Sequence, residues 1–446
     1  MFIPSLGTLQ EESALSIFWF RRDLRLEDNH GLYKALQSGH PVLPLFIFDS
    51  EILSDLDNKK DLRVQFIHQE ITRLKHAIQK HNSSLLVCYG EPASVYRHVL
   101  EKLDITAVYT NEDYEPYAVS RDRAVRKVLI DKHVSFKRYK DQVIFAKDEV
   151  AKQNGEPYRV FSPYMKTWKR RFRKDHARSY ASEKKLSNFV QVRSLNMLSL
   201  DDIGFSAQKF RFPARKIVSS TLKNYDQERD IPSAEGTTRL GIHLRFGTVS
   251  IRAATRAALR HSSTWLNELI WRNFFMTVLW HFPHAAEGAF KPAYENIAWE
   301  NDEDAFEAWC SGRTGYPLVD AGMRQLNQTG YMHNRLRMVT ASFLAKHLLI
   351  DWRWGEAYFA SKLLDYELSS NNGGWQWAAG IGCDAQPYFR IFNPEAQTKK
   401  FDPQRKYIAQ WVPEYKTERY PKPIVDHKSA RERCKSVYKA ALDKKK

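Results

Sequence analysis

Cysteine is scarce in this 446-residue chain: Cys88, Cys310, Cys383 and Cys434 stand far apart, with no Cys-x-x-Cys spacing. That argues against a disulfide framework or a zinc site and implies a reducing compartment. No run of about 18 apolar residues is present, so no membrane-spanning segment is expected. The N-terminal stretch carries Glu11 and Glu12 and no basic region, unlike a secretory leader. The first third has neither a Gly-x-Gly-x-x-Gly after a strand nor a P-loop, so the usual dinucleotide grip is missing there. No internal repeat, metal-ligand spacing or nucleophile triad motif is found, and no metal is expected.

Basic residues and aromatic rings are what the chain has in excess. Lys and Arg number 69 against 52 Asp and Glu, a formal charge of +17. A polyanion is therefore the leading class of partner, because basic side chains gain from releasing the counterions condensed on phosphates. An acidic membrane surface would tolerate the same balance. Aromatics reach 13%, with 12 Trp, 21 Tyr and 25 Phe. Core packing uses some of these rings; stacking on bases or on a cofactor, and conduction of electrons between rings, are the sharper uses.

A single core stops growing at about 250 to 300 residues, so at least two domains are expected. Short β-rich runs at 17–20, 42–48, 85–89, 107–109 and 134–139 alternate with helical patterns, among them Val64, Ile67, Ile71, Leu74 and Ile78 at helical spacing. The pattern predicts an α/β N-terminal domain with a parallel, doubly wound sheet over 1–145. Residues 146–213, irregular and basic through KTWKRRFRK (166–174), read as an interdomain linker. Helical periodicity then dominates, with helix-sized segments at 263–281, 305–311 and 335–349, predicting an all-α domain over 214–446. The closing 444–446 lysines read as a solvated tail.

The most distinctive segment is DYELSSNNGGWQWAAGIGCDAQPYFRIFNP, 365–394. Gly373 and Gly374 let a backbone approach something closely, Trp375 and Trp377 bring large rings, and Asn371 and Asn372 bring amides that donate and accept. A flat heteroaromatic ligand suits such a wall; a glycine-broken turn over an aromatic cluster is the plainer reading. The segment closely resembles the flavin-binding signature of the photolyase and cryptochrome family. In family order it is preceded by FWFRRDLRLEDN (18–29), YDQERDIPSAEGTTRLGIHLRFGTVS (225–250), WLNELIWRNFF (265–275) and a long match over 312–359. Bacterial class I enzymes that repair cyclobutane pyrimidine dimers are the nearest comparison. The resemblance implies FAD in the helical domain and a second, antenna chromophore, a folate, deazaflavin or flavin, in the α/β domain.

Residue by residue, the resemblance implies a cofactor set. The hydroxyls of Thr237 and Thr238, with the backbone of Arg239, Leu240 and Gly241, would hold a pyrophosphate if the segment opens a helix, with Tyr225 nearby. Arg337 and Asp365 match the pair beside the isoalloxazine ring, although a plain buried ion pair would fit the same residues. Asn371 matches the residue facing flavin N5, and Trp265, Arg272, Tyr366 and Glu367 complete the set. Glu367 is a departure, since the bacterial repair enzymes usually carry Asp there. A cation near the ring and an amide at N5 both suit a reduced, anionic flavin.

A substrate pocket is expected beside it. Glu268 and Trp271 are three apart and Asn334 and Met338 four apart, so each pair shares a helix face. The resemblance implies that Glu268 and Asn334 bond base edges of a flipped dimer while Trp271 and Trp377 sandwich it. The family's (6-4) photoproduct enzymes place a histidine pair where Asn334 and Met338 stand; His333 reads as a core histidine. Arg229, Arg335 and Arg390 match phosphate contacts, with 166–174 adding to a basic face. Trp299, Trp352 and Trp375 match the relay that carries an electron to the photoexcited flavin, and any of them is by default a packing residue.

The function expected is light-dependent repair of cyclobutane dimers in UV-damaged DNA by a monomeric cytoplasmic enzyme with access to DNA. The rival is a cryptochrome, a blue-light photoreceptor without repair. It is disfavoured by the retained Glu268, Trp271, Asn334 and Met338, and by an end soon after 411–420 where cryptochromes often carry a long extension. A second rival, a nucleic-acid-binding protein without flavin, predicts a colourless protein.

Overall fold

The computed structural model describes residues 1–9 and 14–443. Glu11, Glu12 and the three terminal lysines lie outside the described residues. The chain divides into two compact units. One comprises Met1–Ala146, Phe172–Ile217 and Arg239–Ala257; the other comprises Lys147–Arg171, Val218–Thr238 and the chain from Ala258 onward.

In the first unit five parallel strands, β1 (Leu15–Phe20), β2 (Val42–Asp49), β3 (Leu86–Gly90), β4 (Ile105–Asn111) and β5 (Ser135–Tyr139), lie in the order β3-β2-β1-β4-β5. Every residue of β1 and β2 is buried, as a central strand covered on both faces requires. The edge strand β5 instead exposes Ser135, Lys137 and Arg138. Three helices bring the apolar cover: α1 (Leu62–Gln79), α2 (Pro92–Lys102) and α3 (Pro116–Asp131). Ile17, Trp19 and Leu45 share one core with Val95, Tyr96 and Val99 of α2 and with Val125 and Leu129 of α3. Helix α1 buries Val64, Ile71, Leu74 and Ile78 as their spacing predicts, and its His68 ring stacks on Phe48. The sheet is thus the parallel, doubly wound one expected.

The FWFRRDLRLEDN motif builds a buried ionic lattice within this unit. Arg25 Nη2 donates to Asp141 Oδ2 at 2.6 Å, and Arg252 donates to Asp28 Oδ1 at 2.8 Å and Asp141 Oδ1 at 2.7 Å. The two arginines hold the Asp141 carboxyl at about 2, outweighing the burial that alone would raise it.

The second unit is helical. Its principal elements are α4 (Phe161–Arg171), α5 (Ser263–His281), α6 (Asn334–Ser342), α7 (Trp352–Lys362) and α8 (Leu368–Ala379). The segment expected at 305–311 is a helix over Glu303–Cys310, capped by Asp302. The one expected over 335–349 runs as α6 and then widens into a π turn, Phe343–His347. There buried Lys346 donates from Nζ to the Arg390 carbonyl at 2.9 Å.

The segment expected as a linker, 146–213, is not a free connection. Its first part joins the helical unit as α4, because Phe161, Tyr164 and Trp168 recur at helical spacing and are buried. Trp168 Nε1 donates to Asn273 Oδ1 at 3.1 Å, and Tyr164 shares a 3.3 Å hydrogen bond with Thr277, both on α5. Its later part, from Phe172, belongs to the α/β unit, which also takes 214–217 and Arg239–Ala257 from the stretch expected as the all-α domain over 214–446. Among the described residues no helix is long and apolar enough to cross a membrane.

Candidate functional site

Within the helical unit α5, α6 and α8 wall a cavity of about 230 Å³. Helix α5 contributes Glu268, Trp271 and Arg272, one turn of one face. Helix α6 contributes Asn334, Arg337 and Met338 by the same i, i+3, i+4 rule. Asp365, Tyr366 and Glu367 enter from the turn before α8, and Asn371, Gly374 and Trp375 from α8 itself. Phe275, Phe359 and Leu363 add apolar wall.

The two adjacent glycines have different tasks. A Cβ on Gly373 would stand 2.2 Å from the Phe275 ring, so only glycine lets α8 pack this closely on α5. A Cβ on Gly374 would meet nothing within 4 Å, because this face of the helix opens to the cavity.

Charge in the wall is paired. Arg337 Nη2 donates to both Asp365 oxygens at 3.1 and 2.9 Å, and its Nε donates to the Met332 carbonyl at 2.8 Å. Burial alone would lower the Arg337 pKa, but Asp365 more than offsets it and keeps the cation firmly charged. Arg272 Nη2 donates to Glu367 Oε1 at 2.8 Å, so the longer acid that departs from the family pattern reaches a base across the wall.

Glu268 accepts from Arg229 Nη1 at 2.6 Å. Removal from water raises the Glu268 carboxyl above its usual value, against the pull of Arg229. Arg229, expected at a DNA phosphate, is thus committed to Glu268, with its guanidinium also over the Tyr225 ring at 5.4 Å. Arg335, expected in the same role, is held by Asp230 at 2.8 Å and lies 4.1 Å from the Phe401 ring centroid. Arg390 is exposed.

Glu356 is a residue the sequence reading missed. Asn371 Nδ2 donates to Glu356 Oε1 at 2.7 Å and to its carbonyl at 3.1 Å, which fixes the amide that lines the cavity. Removal from water raises the Glu356 carboxyl, only partly countered by that hydrogen bond. Fifteen positions separate the two residues, on different helices, so no local spacing signals the pair. His333, expected as a core histidine, is buried and also caps α6: its Nδ1 accepts from Arg335 N at 3.1 Å. Burial lowers its pKa to about 4, so it caps as a neutral ring.

Other expected residues lie off this cavity. Trp265 is buried in the first turn of α5, its N–H donating to Ser262 Oγ at 3.2 Å. Trp377 stands two positions from Trp375 on α8, about 200° around the helix, and packs half-buried on the core instead of lining the cavity. Trp352 is buried and Trp299 half-buried. The Trp375 ring meets Trp309 at 6.0 Å and Phe359 at 5.0 Å, and Trp299 meets Tyr438 at 6.1 Å. Thr237 shares a 3.1 Å hydrogen bond with Tyr331. Leu240 caps a short helix, Gly241–Arg245, preceded by Arg239 in the left-handed region. Thr238 and Arg239 fall in different units.

Residues 16–182 match the model of the DNA photolyase family, and residues 265–418 match its FAD binding domain. The chain is 36% identical to a deoxyribodipyrimidine photo-lyase of Synechococcus over 96% of its own length and 98% of that protein's. The chain belongs to the DNA photolyase family. A bacterial class III photolyase from Agrobacterium tumefaciens superposes with a TM-score of 0.86 at 32% identity, covering 97% of this chain and 98% of that one. An archaeal photolyase from Sulfolobus tokodaii, solved with two FAD molecules, gives 0.77 at 35% identity, with 96% and 100% covered.

The residues fit the FAD that this family binds. An aromatic and apolar wall, an open glycine face, a guanidinium held charged and a fixed amide are what a flat, polar-edged ring system needs. The photolyase fold here is therefore that of a flavin-binding enzyme.

Proposed function

We propose that this photolyase repairs cyclobutane pyrimidine dimers in UV-damaged DNA under blue light. The observation that carries the reading is the juxtaposition in one cavity of Glu268, Trp271, Asn334 and Met338 with Arg337, Asp365 and Asn371. Arg337, Asp365 and Asn371 would hold FAD, which when reduced would supply the light-excited electron that splits the cyclobutane ring and would take it back once the ring has opened.

The chain's own residues do the rest. Arg337 places a permanent positive charge beside the ring site and stabilises an anionic flavin; Asp365 orients that guanidinium, and Glu356 orients the Asn371 amide. Trp271 offers an indole face to a flipped, non-planar pyrimidine dimer, while Glu268 and Asn334 hydrogen-bond its edges. Met338 adapts in shape to the saturated ring. A damaged pair costs less to flip than an intact one, which favours lesions before any contact forms. Trp375, Trp352 and Trp299 would serve to reduce a bound flavin and would take no part in repair itself.

The α/β unit offers a place for the antenna. A cavity at the carboxyl ends of β1 and β2 is lined by Trp19, Phe48, Tyr117, Arg21 and Arg121, close to where the strand order reverses. Crevices at that switch point are where such sheets take ligands. A flat chromophore suits those rings; the Arg21 and Arg121 guanidiniums are paired with Asp122, and Asp49, Asp113 and Glu115 share the lining, so donors on the chromophore would find acceptors there.

Binding in the dark tests the pocket. Duplexes with a cyclobutane dimer, with a (6-4) product and without damage should rank in that order of affinity. A (6-4) duplex bound more tightly than the dimer would contradict the assignment of Asn334 and Met338.

A further inference from the structure

The Trp271 indole is not free to turn. Phe161, the first residue of α4, lies flat against it, with ring centroids 3.6 Å apart and planes 8° from parallel. Phe274 and Phe275 meet the same indole at 5.7 and 5.4 Å, inclined by 77° and 31°. One indole face is thus covered while the residue lines the cavity. Phe161 is itself 7% exposed and anchored. Its N–H donates to Asp384 Oδ2 at 3.0 Å, and the neighbouring Cys383 thiol donates to the Arg159 carbonyl at 3.1 Å. Both acceptor and thiol belong to the loop that follows α8.

We propose that Phe161 is a positioning residue for lesion recognition, holding Trp271 so that the part lining the cavity meets the flipped dimer, with Asp384 anchoring Phe161. This rests on the reading that Trp271 contacts the lesion. An indole on two single bonds gives up rotamer freedom when it binds; a ring already stacked behind it removes that cost beforehand. The tether also links the recognition ring to the helix that walls the cavity, since Asp384 follows α8 closely in the chain.

The test compares Phe161→Leu, Phe161→Tyr, Trp271→Ala and the Phe161→Leu/Trp271→Ala double variant as flavin-loaded full chains. The measured quantity is the ratio of affinities for dimer-containing and intact duplex. Phe161→Leu should lower the ratio about three- to tenfold, the worth of an aromatic stack, with intact-DNA affinity unmoved. Phe161→Tyr should restore it, and Leu at 161 should cost nothing further once Trp271 is gone. A wild-type ratio for Phe161→Leu, failure of Tyr to rescue, or full additivity in the double variant overturns the proposal. Should Leu at 161 prevent folding, Asp384→Gly decides alone, since it removes the acceptor and suits the left-handed backbone at 384: a lowered ratio supports the tether and an unchanged one overturns it. If Trp271→Ala itself leaves the ratio intact, the pocket reading fails; if only Phe161→Leu does, this inference fails alone.

Discussion

At the scale of single residues, the cavity is defined by what side chains permit as much as by what they touch. Gly374→Leu would project a side chain into the open face of α8 and should lower flavin retention by roughly tenfold or more, read as the flavin-to-protein absorbance ratio. Gly373→Ala acts elsewhere: its Cβ meets Phe275, so it should cost about 1–3 kcal/mol of stability in a denaturant melt. Equal effects of the two substitutions on both readouts would contradict the separate roles. Trp375→Phe should slow photoreduction of oxidised flavin and spare repair by protein already reduced; an unaltered photoreduction rate would remove Trp375 from the relay. Much of this wall was legible in the sequence because Glu268 with Trp271, and Asn334 with Met338, obey helical spacing. Glu356 and Phe161 were not, because their partners come from elements brought together only by tertiary packing.

At the scale of elements, the differences from expectation have local causes. The basic segment 166–174 reads as a linker when its charges are counted, yet as far as Arg171 it is the end of a helix whose face is set by Phe161, Tyr164 and Trp168. Trp377 shows the converse limit: adjacency in the most distinctive motif does not put two rings on one helical face. The π turn after α6 carries a titration that can be measured. Burial lowers the Lys346 ammonium to about 8, while the unfolded chain keeps a lysine's ordinary value of about 10.4. Between these values the unfolded state binds a proton that the folded state has released, so folded stability rises with pH. The groups facing Lys346 are the Arg390 carbonyl and the Cys434 thiol, and burial keeps that thiol protonated up to about 12. The stability of the natural protein relative to Lys346→Met should therefore rise between pH 7.5 and 10 in urea melts; a difference that falls with pH would contradict the assignment.

At the scale of the whole molecule, a formal charge of +17 was the earliest pointer to a nucleic-acid partner and the least specific. It does not say which residues meet phosphate, and two of the three arginines expected there are engaged by Glu268 and Asp230. Exposed Lys166 and Lys169 on α4 remain available. Lys166→Ala/Lys169→Ala should weaken damaged and intact DNA alike and flatten the salt dependence of binding by up to about 0.9 for each phosphate that is no longer neutralised. A selective effect on damaged DNA would instead place these lysines at the lesion. The two-unit fold was readable because strand alternation and helical periodicity are local signals, whereas the interleaving of 147–171, 172–217 and 239–257 between the units is not. The most direct measurement illuminates the purified, reduced, flavin-loaded protein with blue light in the presence of DNA holding a single thymine dimer. Intact thymines should reappear in the light and not in the dark; dimers that persist under illumination, with flavin reduced and DNA bound, would contradict the proposed activity.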